Sequence, residues 1–233
     1  TIVLNVIAGN NSHGINILGA TSTGNILQGN FIGTNATGSA AIGNSLRGVA
    51  ITDGSNNIIG GTSAADRNLI SGNFAGLDIV GATASGNVVV GNFIGTDVFG
   101  TVDLGNTTSG IRIASAPSNV IGGAAVGASN LISGNNSQGV LITGAGAIGN
   151  IIQGNTIGLN ASGSSILANS QHGIEINQAV NTLSGGNVPG ARNVISGNTF
   201  YGVVIAGSLA SGNKGQGNYV GTDVTGFVCL GKG

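Results

Sequence analysis

The hexapeptide Asn68-Leu69-Ile70-Ser71-Gly72-Asn73 has one exact copy and two near-copies in the chain, and no other feature limits the fold as tightly. It stands as NVIAGN from Asn5, NLISGN from Asn130 and NVISGN from Asn193, so that successive copies are 63, 62 and 63 residues apart. Inside this period lies a shorter unit, opened each time by a glycine: Gly14, Gly48, Gly76, Gly110, Gly139, Gly173 and Gly202. These glycines are spaced 34, 28, 34, 29, 34 and 29 residues apart, a long unit alternating with a short one. Self-similarity at such periods marks a solenoid, in which each unit buries its apolar face only against its neighbours.

Each unit holds three short segments. The first reads Gly-Φ-x-Φ, as in Ile111 and Ile113 or Val140 and Ile142, the two-residue period of a strand with one buried face. The second opens on Asn and places an aliphatic two residues later: Leu27, Ile59, Val89, Ile121, Ile152 and Leu183. The third does the same, giving Ile32, Ile70, Ile94, Ile132, Ile157, Ile195 and Val220. No helical period is present. The pattern predicts an all-β, single-stranded parallel β-helix of about seven coils, with alternating 34- and 28/29-residue units. Gly215 is the one inward position that breaks the aliphatic rule. Asn25, Asn57, Asn87, Asn119, Asn150, Asn181 and Asn213 open the second segments. A carboxamide both donates and accepts, so this column predicts a ladder along the axis.

Composition narrows the function classes. With 46 Gly but only 2 Pro and no three-residue period, the chain is not collagen-like. Six Lys and Arg at a net charge of −1 give no footprint for nucleic acid or an anionic membrane surface. One Cys makes neither an internal disulfide nor a cysteine zinc site. Gly, Asn, Ser and Thr interrupt every apolar run, so no membrane span is expected. The chain opens at Thr1 with no signal-peptide pattern, and Thr1-Ile2-Val3-Leu4 and Gly231-Lys232-Gly233 both fall mid-repeat. The expectation is a single β-helix domain over residues 1–233, cut from a longer repeat array. Each end would then meet either more of the same chain or, head to tail, another copy in a filament. No cofactor is implied.

The long units carry an extra loop after the third segment, at 34–38, 96–100, 159–163 and 222–226. On alternate coils these loops are expected about 9.6 Å apart, twice the strand spacing. Asp97, Asp103 and Asp223 are the weak calcium candidates. Asn35 and Asn160 stand where Asp97 and Asp223 do, and Ala41, Ile166 and Cys229 where Asp103 does, which favours Asx turns over a metal site. The outward positions of the first segment run Asn16, Ala50, Asp78, Arg112, Leu141, Glu175 and Val204. Asp78 and Arg112 are read as an exposed cross-strand ion pair. His13 and His172 share one corner five coils apart, too far for one site, and Arg67 and Arg192 are read as solvated turn residues. The column Thr34, Thr96, Leu159 and Thr222 is too sparse for an ice-binding plane. Cys229 has no nearby charge to activate its thiol.

The strings GNFIGTD from Gly91, NVIGG from Asn119, GVLITGAGAIGN from Gly139 and ARNVISGN from Ala191 resemble the β-helix repeats of very large bacterial secreted and surface proteins. These belong to the broad pectin-lyase-like superfamily. The resemblance implies a right-handed coil and an extracellular or cell-surface, bacterial setting. It spans lyases, tail spikes and adhesin stalks, so it does not select a function. The first expectation is a non-enzymatic stalk, adhesin-like or filament-forming solenoid. The alternative is a carbohydrate-binding or polysaccharide-cleaving protein working from the loop side near Asp97, Asp103 and Asp223.

Overall fold

The computed structural model describes residues 1–231, and these wind through three parallel sheets. Sheet A stacks eight strands from Ile2–Val3 to Lys214–Gln216, and sheet B stacks eight from Val6–Ile7 to Tyr219–Val220. Sheet C stacks seven, from Ile15–Leu18 to Val203–Ala206. Every circuit visits A, B and C in turn, giving about seven stacked coils. Among the described residues the only helix is a single 3-10 turn, Ala64–Asp66, and no helix is long and apolar enough to cross a membrane.

The ladders run in strict register. Ile113 lies between Ile79 and Ile142 in sheet C, and Ile121 between Val89 and Ile152 in sheet A. Ile94 lies between Ile70 and Ile132 in sheet B. The inward aliphatics of the central coils have no exposed surface and form one continuous core. A coil of two- to six-residue strands gains almost nothing alone; each buried Ile contributes about 1.5–3 kcal/mol only because the next coil covers it.

One expectation slips by a residue. Leu183 pairs with Ile151 and Lys214, and it is Ser184 that sits inward between Ile152 and Gly215. Asn181 is therefore not in the ladder; Thr182 takes that place. Asn181 instead holds a left-handed corner (φ 54°), the conformation of Gly149 and Gly212 in the flanking coils. Asn tolerates this region because its short polar side chain bonds locally, so it stands in for glycine and shifts the Asn-to-aliphatic count.

The rest of that column is a ladder. The side-chain amides of Asn25, Asn57 and Asn87 donate to the next Asn Oδ1 at 2.9, 2.8 and 2.9 Å, and Asn119 reaches Asn150 at 3.4 Å. Asn213 Oδ1 accepts the Thr182 backbone N–H at 2.8 Å. Between them Thr182 Oγ1 is the one buried side-chain polar atom without a hydrogen-bond partner among the described residues. Thr182→Asn is expected to close the gap and raise stability by about 1 kcal/mol, read as a higher urea midpoint at unchanged m.

Two further ladders exist. Asn5, Asn30, Asn68, Asn92, Asn130, Asn155, Asn193 and Asn218 link end to end at the A-to-B corner, with amide-to-Oδ1 distances of 2.9–3.1 Å. Asn10, Asn44, Asn73, Asn106, Asn135, Asn169 and Asn198 do the same at the B-to-C corner, at 2.7–3.2 Å. In both columns the amides also bond corner carbonyls, as Asn92 does to Ile59 O at 2.9 Å. Fully buried carboxamides stay in place because each has its donors and acceptor matched.

The alternation of long and short units is an alternation of corners. Extra loops leave sheet B for sheet C at 34–43, 96–105, 159–168 and 222–230, and on the intervening coils they leave sheet A for sheet B at 61–67, 123–129 and 186–192.

Candidate functional site

The B-to-C loops are small hairpins, closed by antiparallel bridges Thr34–Ala41, Thr96–Asp103, Leu159–Ile166 and Thr222–Cys229. The repeat alignment of these four pairs is thus correct. Loops on alternate coils are in direct contact along the rod. The first two tips fold back over the outer face of sheet B and cover the ring of their own coil and the leucine of the next, so Gly38 lies against Phe31 and Leu69, and Gly100 against Phe93 and Leu131. Spread over two coils, the tips touch: Val98 N–H donates to Gly38 O at 3.0 Å, Ala161 to Gly100 at 2.9 Å and Val224 to Gly163 at 3.1 Å.

Within each tip the Asx residue folds its own loop. Asp97 Oδ1 accepts the Thr101 and Val102 N–H groups at 2.7 and 2.9 Å, and Asn35 and Asn160 accept the equivalent pairs. Asp223 accepts Phe227 and Val228, and the Thr225 hydroxyl at 2.7 Å; that hydroxyl and then these amides hold its carboxyl below the usual 3.8. Asp103 accepts Gly105 N–H at 2.8 Å. Of the three calcium candidates, Asp97 and Asp103 therefore share one hairpin, while Asp223 lies in another, two hairpins farther along the rod. Thr34 and Thr96 are buried, with hydroxyls turned to the next carbonyl, so they form no surface plane. Cys229 is exposed.

The outer face of sheet C carries the second group. Asp78 is not the exposed partner expected from the strand pattern: its side chain is 4% exposed. Arg112 Nη2 donates to Oδ2 at 2.7 Å and Nε to Oδ1 at 3.2 Å, while Arg47 Nε donates to Oδ2 at 2.8 Å. Arg47 escaped the sequence reading because it precedes Gly48, outside the alternating segment, yet its long stem reaches one coil across. The bond to Asp78 raises the basicity of Arg112 above its ordinary value. Glu175, farther along, accepts from Gln138 at 2.7 Å and Asn177 at 3.1 Å. Phe74, Arg47, Asp78, Arg112 and Gln138 line a shallow cleft of about 250 Å³.

The two histidines sit at the edge of this face, each with Nδ1 accepting a backbone N–H at 3.3 Å: His13 from Arg47 and His172 from Tyr201. Burial first, and then Arg47, lower the His13 pKa from 6.5, with Asp78 opposing. Since the unfolded chain binds the proton more readily, this contribution to stability is complete above pH 6.5 and is lost as pH falls through the lowered value. Thermal melts between pH 7 and 5 are expected to show a fall in Tm that is smaller in His13→Gln; an identical fall in both proteins would contradict it.

Arg67 and Arg192 are not simply solvated. Each guanidinium lies over a ring on the outer face of sheet B, Arg67 Cζ at 3.9 Å from the Phe93 centroid and Arg192 Cζ at 3.8 Å from that of Tyr219.

No protein-family model and no curated protein matches this chain. The parallel β-solenoid is therefore established by the architecture alone.

Proposed function

We infer that the chain is a structural segment of a β-solenoid rod, a stalk, adhesin-like or filament-forming element of a secreted or cell-surface bacterial protein. The observation that supports this reading is the employment of its seven carboxylates. Asp97, Asp103 and Asp223 fold their loops; Asp78 is clamped by two arginines; Glu175 holds Gln138 and Asn177. Asp53 accepts the Thr83 hydroxyl at 3.1 Å, and Asp66 the Ser63 hydroxyl at 2.9 Å. Acid–base chemistry on a glycan needs a carboxyl group that exchanges its proton with substrate, and these are engaged in loop folding or, for Asp53, Asp78 and Glu175, in bonds between coils. The right-handed coil, the pectin-lyase-like kinship and the bacterial surface setting belong to the same proposal and rest on the motif strings.

The competing reading places a glycan on the loop side near Asp97, Asp103 and Asp223. A reducing-end and unsaturated-product assay over plant and microbial polysaccharides separates the two. No turnover, together with long thin rods in negative-stain images of the native parent protein, is the expected result. Turnover abolished by Asp97→Ala would replace the structural reading with the enzymatic one.

A further inference from the structure

We propose that the outer face of sheet B holds a receptor for an organic monocarboxylate with an apolar body, built around Arg67. The Arg67 guanidinium is fixed in two ways: its Cζ sits over the Phe93 ring, 3.9 Å from the centroid, and its Nε donates to Gly91 O at 3.4 Å. The terminal nitrogens make no hydrogen bond among the described residues, and both ion pairs there go to Asp78 instead. The adjacent Asp66 is turned to Ser63, and Asp97 to its own loop. What remains is a pinned fork of N–H donors with the geometry that matches a carboxylate.

The surroundings define the rest of the ligand. Arg67 lines a cleft of about 340 Å³ whose other walls are Leu4, Phe31, Ala65, Leu69, Phe93 and Val98. That volume is within the roughly 300–1,000 Å³ range of small-molecule sites. One cationic fork in an apolar cleft suits one anionic head and a short hydrocarbon or aryl body. Burial also lowers the basicity of Arg67 below its ordinary value.

The device recurs. Arg192 lies over Tyr219, donates its Nε to Gly217 O at 2.8 Å and lines a cleft of about 500 Å³ with Val188 and Pro189. Four coils separate the two, roughly 19 Å at the strand spacing. In the equivalent unit between them Ser129 stands for the arginine and Thr156 for the ring, so the two partners are present or absent together.

Titration of the 15N-labelled protein with sodium hexanoate, 1-hexanol and sodium acetate tests the proposal. Hexanoate is expected to shift the Gly91 and Val98 amides saturably, at least tenfold more tightly than either control. Arg67→Gln should abolish these shifts, and Arg67→Lys, which keeps the charge but not the flat fork, should weaken binding at least fivefold. Equal affinity for hexanol and hexanoate in the wild-type protein would overturn the proposal, whatever the variants do. So would undiminished hexanoate binding in a folded Arg67→Gln protein.

Discussion

Gly60→Ala is expected to destabilise the rod by more than about 3 kcal/mol, while Gly19→Ala costs only about 1–2 kcal/mol. Both glycines have left-handed backbones, with φ of 92° and 97°, so an alanine suffers similar intrinsic strain at each. They differ in what a Cβ would meet. At Gly19 nothing lies within 4 Å, whereas at Gly60 the new atom collides with the Val90 carbonyl of the next coil and the Asn92 side chain. A backbone carbonyl in a ladder cannot step aside. Relief comes only by prising two coils apart, which breaks the bonds that cross that gap, from the Asn92 amide to Ile59 O and from the Asn68 amide to Asn92 Oδ1, both 2.9 Å long. Urea melts of the two variants provide the comparison; equal losses would mean that strain alone, and not coil contact, demands glycine at Gly60.

Removing the Asp78 carboxylate is the other large effect. Asp78→Ala leaves Arg47 and Arg112 facing each other without the anion that separates them, and a loss of about 2–3 kcal/mol is expected. Breaking a buried pair commonly costs about 3–5 kcal/mol, but these guanidiniums keep about a third of their surface in water, which lowers the penalty. Tm should fall by about 5–10 °C. Arg47→Gln in the Asp78→Ala background should recover part of the loss by removing one of two like charges. No recovery would show that the arginines were not in electrostatic contact through Asp78.

The fold was legible because its rule is local and repeated: Ile at every second position, Asn and Gly at every corner. The places where reading failed are those where one residue type does two jobs. Asn181 serves as a left-handed corner and so imitates a ladder position, which hid Ser184 in the core. The columns of Asn30 and Asn44 carry the same ladders, and the donor-and-acceptor argument applied to the Asn25 column holds for them equally. The ring-stacked arginines lay beyond sequence reach for a different reason. Arg67 and Phe93 are 26 positions apart, and their contact depends on how far a loop of the shorter unit brings the chain over sheet B. Long side chains defeat counting by strands, as Arg47 does in reaching Asp78.

The alternation of corners sets a rule for how such a rod changes length. A B-to-C hairpin needs a loop-free coil at that corner on either side, because its tip lies over two coils and meets the next tip. Excising one coil would bring two hairpins onto neighbouring coils and force them into the same space. Excising a pair would let the flanking surfaces meet as they do now. The molecule is thus built in quanta of two, and duplications or deletions that keep it intact must add or remove about 63 residues at once.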